Sequence, residues 1–497
     1  MAHSHSHSLA HATLTPLDHL HKPNYLNLSY YFPLKPDAAP QDVFQDLSKG
    51  LRRVFNRVPW LGGSIHLRER GEGKDDWKPG QREIRWGHWD EDGPTPHQLR
   101  YHELDSQWTF AELREDTFPG NAYDHDELLE VPIEGDLVAG CDVIVAQANF
   151  LPGGCIVSMS ANHAALDGTA MVFAMKLWAD SCRSLQDPDF PFEGYPPESS
   201  DRTLLDRIWK EESAQRQDLK RADDDWTKGL TGVRDVCPTE AALGDPAIKE
   251  RNNPNKTATD RKPVNRTFYV SAASQAILRK ECEAAVGTGI LSSNDIVTAL
   301  MWRSLVRARV AASPTGLRTE TTSVLESAVD GRTDFSRAQA VPASYLGNNT
   351  FYNQAEVSLS DLLDPSVPLG KIARVIRDGA GRASSSALQD AYALIRDLPD
   401  YDLLRPRFRY MDGADLLVSN LLLFPVDQIS FGTDKFSNGG CPEAVRLYMS
   451  KFNHHARCSY ILPRRTPGGV ELSMNLYEDE MEHLIQDEHF RRYCMDL

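Results

Sequence analysis

The chain has 497 residues, of which 41% are hydrophobic, 9% aromatic and 25% charged, with a formal net charge of −17. That length exceeds one ordinary core and suits two domains of about 200–250 residues each. The acidic balance excludes a nucleic-acid binder, which needs a basic surface for phosphates, and no run of about 20 apolar residues is available to span a bilayer.

The first twelve residues are rich in His and Ser, lack the apolar centre of a secretory signal, and read as a disordered leader. Eight cysteines show no CxxC or Cys/His spacing. Together these features imply a cytoplasmic protein with reduced thiols and no resident metal. "NYLNLSYYFPL" at 24–34 reads as a strand. The stretch 41–63 carries apolar residues at Val43, Phe44, Leu47, Leu51, Val54 and Phe55, which is a helical stripe ending before "PWLGG". "SIHLRER" and "REIRWG" form a hairpin pattern. "DLVAGCDVIVAQANFL" and "GGCIVSMSANH" are two further strands, joined across "PGG".

From about 186 to 265 the chain turns Pro-rich and then polar, with one expected helix over 202–230. This stretch reads as a long crossover between an N-terminal domain, 13–185, and a C-terminal domain, 266–497. The second half brings helices near 274–285 and 292–311, the latter with Ser292, Ser293 and Asn294 as candidate caps. Strands at "TTSVLESAVDG", "NTFYNQAEVSL", "EAVRLYMSKF", "RCSYILPRR" and "GVELSMNLY" then mix with helices at 387–396 and 478–493. The fold class expected is α/β, with mixed sheets flanked by helices.

One stretch looks built for chemistry. "SMSANHAALDG" presents His163 at the end of a strand of buried character, with Asp167 four residues on and Gly168 opening a helix. A neutral imidazole accepts a proton from an alcohol or amine in a transition state, and such transfer contributes about 10²–10⁴-fold. Asp167 would hold the loop through the helix N-terminus or an arginine. Gly168 permits close backbone approach or an unusual φ. On spacing alone, His163 is either a general base or a hydrogen-bonded turn residue. The adjacent His454 and His455 would point to opposite faces of a strand, so they form no joint metal site.

Other segments favour the base. "TPLDHL" (15–20), "SMSANHAALDG", "LSSNDIVTALMWRSLVRAR" (291–309), "VDGRTDF…VPASYLGNNTF" (329–351) and "CPEAVR" (441–446) follow one another in order. The chain thereby resembles the BAHD-type acyltransferases, in the fungal branch that includes the trichothecene acetyltransferases. The resemblance implies two chloramphenicol-acetyltransferase-like domains with an active-site tunnel at their interface. It implies acetyl-CoA, or another acyl-CoA, as co-substrate and a small hydroxylated acceptor. His163 would be the general base without a covalent intermediate, Asp167 would be structural, and Arg332 would be its partner. A monomer without nucleic-acid or membrane partners is the expected state.

The chain departs from the family pattern in two places. "ISFGTDKFSNGGCPEAVR" has Ser430 where the family has the aspartate of its "DFGWG" motif, with Asp427 and Asp434 as nearby substitutes. "LLVSNLLLF" places Ser419 and Asn420 where an oxyanion donor is expected, though a satisfied strand end fits equally. Gly168 and Asn348 are further candidates to line the tunnel. Lys256, Arg261, Lys262, Arg266 and Lys280 are candidates for the CoA phosphates, against the plainer reading of a solvated charged face. Two rival functions remain: a condensation-domain relative using carrier-bound thioesters, and a non-acylating pericyclase-like or binding protein on the same fold.

Overall fold

The computed structural model describes residues 9–71, 76–215, 225–235, 261–312, 317, 322–406, 413–448, 458–464 and 468–497. A five-stranded sheet carries the N-terminal half, in the order 444–446, 25–33, 154–162, 144–151 and 99–103. The strands Tyr25–Pro33 and Gly154–Asn162 pair antiparallel along their whole length, Tyr25 opposite Asn162 and Pro33 opposite Gly154. All nine residues of Gly154–Asn162 are buried, so the strand reads as a continuous run rather than an alternation. Two long helices, Pro40–Arg57 and Gly168–Gln186, pack on this half. Gly50 is required at their contact, because a Cβ there would lie 2.1 Å from the Cys182 sulfur.

A seven-stranded mixed sheet forms the other half, in the order 350–358, 322–330, 416–420, 459–461, 470–477, 263–270 and 495–496. Its pairings are antiparallel except that Leu416–Asn420 runs parallel to both its neighbours. The helices Ala272–Val286, Ser293–Ala312 and Leu369–Ala380 share its apolar core. Ser292 closes a capping box with Asp295 at the start of the second of these. The expected mixed α/β architecture flanked by helices is the one observed.

Some expectations need correction. The leader expected to be disordered over residues 1–12 overlaps a strand, Ala10–Thr13, which pairs antiparallel with Arg82–Trp86. The helix expected over 202–230 is described as Leu204–Ser213 and Asp225–Leu230. Of the expected strand at 443–452, Ala444–Arg446 is described, and it leaves the second half to pair with Ser29–Tyr31 of the first sheet. His454 and His455 lie outside the described residues.

That short strand also carries a buried joint between the sheets. Arg446, 1% exposed, donates from Nη1 to Glu471 of the seven-stranded sheet at 2.8 Å, and to the Phe118 and Thr117 carbonyls. Removing one partner of such a pair strands a charge without water. Arg446→Met is expected to lower the unfolding free energy in urea by about 3–5 kcal/mol. The double variant Arg446→Met, Glu471→Gln, which buries no net charge, is expected to lie closer to wild type.

Candidate active site

His163 leaves the end of its strand with its backbone clamped on both sides. Its N–H donates to the Asn24 carbonyl at 2.7 Å, and its carbonyl accepts from Asn348 Nδ2 at 2.9 Å. The ring is half-buried, and its Nδ1 is enclosed without a hydrogen-bond partner. Burial is the dominant influence on the imidazole and favours its neutral form. Asp167, the His163 carbonyl, Asn348 and Asp18 oppose it, and the net shift is below the ordinary histidine value. At neutral pH the ring is therefore an unprotonated base.

Asp167 does not face that ring. It caps the helix Gly168–Gln186, accepting from the Ala170 N–H at 2.8 Å. Arg332 approaches as a fork, Nη2 to Oδ1 at 2.9 Å and Nη1 to Oδ2 at 3.0 Å. The Asn349 N–H and the Thr350 hydroxyl add donors to Oδ2 at 2.9 and 3.2 Å. Burial alone would raise this carboxyl; Arg332 and the hydrogen bonds outweigh it and hold the group below the usual carboxylate range. Arg332 in turn donates to the Tyr345 and Gly347 carbonyls. Both routes expected for Asp167, the helix N-terminus and an arginine, are thus used at once.

A second buried pair flanks the same loop. Asp18 of "TPLDHL", wholly buried, pairs with Arg202 at 2.5 Å, and Arg202 also donates to the Ala165 carbonyl at 2.9 Å. Asn348 bridges the Asp18 carboxylate, at 2.8 Å, and the His163 carbonyl. Beside them, the His21 ring stacks on His163 with centroids 3.7 Å apart. Spacing offered no route to Arg202 or His21. Asp18 lay inside a quoted motif, and a carboxylate amid apolar neighbours was the available signal.

Residues 136–490 match the model of the Transferase family. Residues 24–182 match that of the trichothecene 3-O-acetyltransferase-like N-terminal domain. The chain belongs to the Transferase family. The transferase is 28% identical over 97% of its length to the isocyanide synthase-NRPS hybrid crmA of Aspergillus fumigatus, but spans only 31% of that protein. It is 25% identical to the acyltransferase BOA11 of Botryotinia fuckeliana, covering 97% of this chain and 96% of that one. Its fold matches the crystal structure of F. sporotrichioides TRI101 complexed with coenzyme A and T-2. The TM-score is 0.73 at 20% identity, with 98% of this chain and 99% of that chain covered.

The other expected site residues of the transferase fall in several places. Gly168 starts its helix against Phe424, where a Cβ would stand 3.0 Å from the ring, so close approach is what the glycine permits. Asn348, expected to line the tunnel, is fully buried, and its amide donates to the Asp18 carboxylate and the His163 carbonyl. Asn420 ends the strand Leu416–Asn420, donating to Asn294 at 2.7 Å and accepting from the Leu422 N–H. Ser419, beside it, is half-buried. Ser430 donates to the Gly439 carbonyl at 2.7 Å, and Phe431 packs between Phe32, Phe436 and Trp178. The "SFGTDKF" variant therefore closes its own turn without the motif aspartate.

Among the CoA candidates, Arg261 binds Asp479 and Glu480, and Arg266 binds Asp496. Lys262 and Lys280 are exposed, and Lys256 lies outside the described residues. Among the described residues no group of three or more His, Cys, Asp or Glu is placed to hold a metal ion. None of the described helices is long and apolar enough to cross a membrane.

Asp167→Ala leaves the Arg332 guanidinium buried without its counter-charge, and is expected to cost about 3–5 kcal/mol of stability at pH 7. The sign with pH follows from a depressed carboxyl. Its contribution is present above the unfolded value near about 4 and is lost as pH falls through the lower folded value. Thermal melts of wild type and variant are expected to converge as the pH drops below about 4.

Proposed function

We propose that this transferase moves an acyl group, most simply acetyl, from acyl-CoA to a hydroxyl of a fungal secondary metabolite such as a terpenoid. The observation that carries this reading is the neutral His163 ring at a strand end, its Nδ1 enclosed and its neighbouring aspartate committed to Arg332. A base freed from ion pairing in this way has Nε2 left for substrate. The relatives support the chemical class: BOA11 is named an acyltransferase, and the TRI101 structure holds coenzyme A with T-2.

In the reaction, the acceptor oxygen attacks the thioester carbon while its proton passes to His163 Nε2. The tetrahedral intermediate collapses with cleavage of the C–S bond, and the departing CoA thiolate recovers the proton from His163. Atoms and charge balance without a covalent enzyme intermediate. Asn420 has one amide hydrogen on Asn294 and a second to offer, and with Ser419 it is the proposed donor to the developing oxyanion. Lys262 and Lys280, with Arg261 and Arg266 exchanging the exposed Asp479 and Asp496, are the proposed phosphate contacts, Arg261 keeping its buried partner Glu480. Asp167 and Arg332 keep the loop in register.

A second reading is favoured by one observation, the likeness to a segment of an NRPS hybrid. In that reading the acyl donor is a carrier-bound thioester and His163 keeps its role.

Free thiol release from acetyl-CoA, measured on a panel of hydroxylated terpenoids, tests the first reading against an acyl-pantetheine donor. His163→Ala is expected to lower turnover by about 10²–10⁴-fold with CoA binding intact by calorimetry. Because burial lowers the His163 pKa, the acid limb of kcat/KM is expected below the ordinary value of about 6.5, with a plateau through neutral pH. Absence of CoA binding in wild type, with turnover of the pantetheine donor, would move the carrier reading to the front.

A further inference from the structure

A general base needs its ring plane fixed, and His163 lacks the usual means. Its own carbonyl and Asn348 lie close to the ring, but Nδ1 makes no well-formed hydrogen bond, and the nearby carboxylate belongs to Arg332. What meets the ring is a second imidazole. The His21 and His163 planes are 9° from parallel with centroids 3.7 Å apart, which is face-to-face contact over much of both rings.

His21 is itself held firmly. It is 7% exposed and follows the short turn Pro16–Leu20. Its carbonyl accepts from Arg82 Nη1 at 2.6 Å, and its Nδ1 faces the Tyr352 hydroxyl at 3.4 Å. The turn is anchored again where His19 Nε2 accepts from the Arg82 N–H at 3.0 Å. The charges around the stack have partners: Asp18 meets Arg202, Asp167 meets Arg332, and Arg82 meets the Asp18 and His21 carbonyls. Parallel rings aim no N–H at one another, so the contact transmits orientation and not a proton.

We propose that His21 is the positioning residue of this site, its flat ring fixing the plane of His163 and so aiming Nε2 at the substrate. The proposal rests on the general-base reading for its catalytic consequence, while the packing claim stands separately. A misplacement of about 1 Å costs up to about 10²-fold in rate, which sets the scale expected here.

Three variants separate shape from chemistry: His21→Phe keeps a flat ring, His21→Leu keeps bulk without the plane, and His21→Ala removes both. Folding is checked by thermal melts and coenzyme A binding. Turnover is expected to fall about 10- to 100-fold in Leu and Ala with little change in KM for acetyl-CoA, and to recover in Phe. A second readout needs no acceptor: carbethoxylation of His163 by diethyl pyrocarbonate, followed by peptide mass spectrometry. Its rate is expected to rise severalfold in Leu and Ala, as the ring is released, and to stay near wild type in Phe. Should His21→Leu not fold, His21→Met takes its place as the planeless control. Equal turnover and equal modification rates in Leu and Phe would overturn the proposal. If wild type transfers no acyl group to any acceptor, the general-base reading fails, and the modification rates still decide whether His21 holds the ring.

Discussion

The site depends on the buried pair between Asp167 and Arg332. Its carboxylate takes two guanidinium nitrogens, two backbone N–H groups and a hydroxyl, which fills the acceptor capacity of the group. Such a pair is weak evidence of stability, because desolvating two charges offsets most of their attraction. Its value is geometric. The bidentate fork admits one register between the helix that starts at Gly168 and the segment 330–350, which come from opposite halves of the chain.

The same device occurs twice around one loop. Asp18 and Arg202 repeat the carboxylate–guanidinium pair, and Asn348 ties Asp18 to the His163 carbonyl. Two neutralised pairs on either side leave the His163 ring with no dominant charge to answer. Burial then decides its protonation, and it decides for the neutral form. Had Asp167 faced the ring as a free carboxylate, its charge would have opposed burial more strongly and raised the imidazole pKa.

Much of this was legible in the sequence, and the remainder shows what a linear pattern omits. The strands Tyr25–Pro33 and Gly154–Asn162 and the helix Pro40–Arg57 announce themselves through apolar runs and stripes nine residues long or more. Asp167 and Arg332 were legible only because both sit in recognisable motifs, 165 residues apart. The strand Ala10–Thr13 is four residues long, too short for an alternation to register, and Ala444–Arg446 read as a strand without any sign that it would join the first sheet. Arg202 stands just past a Pro-rich stretch that reads as a spacer, 184 residues from its aspartate, so nothing local marks it as buried.

That last residue changes how the connection between the halves should be understood. A passive tether would leave its charges in water, yet Arg202 is 6% exposed and reaches both the Asp18 carboxylate and the Ala165 carbonyl. Nearby, Ser199 meets Ser344 through their hydroxyls, and the Ser199 carbonyl accepts the Leu346 N–H at 2.7 Å. The start of the crossover thus touches the His163 loop on one side and the segment before Asn348 on the other. Each of these contacts uses a group that would otherwise be buried unsatisfied, so displacing the crossover by a single residue would orphan several polar atoms at once. The stretch from Ser199 to Arg202 is for this reason part of the frame that holds His163, as much as either sheet.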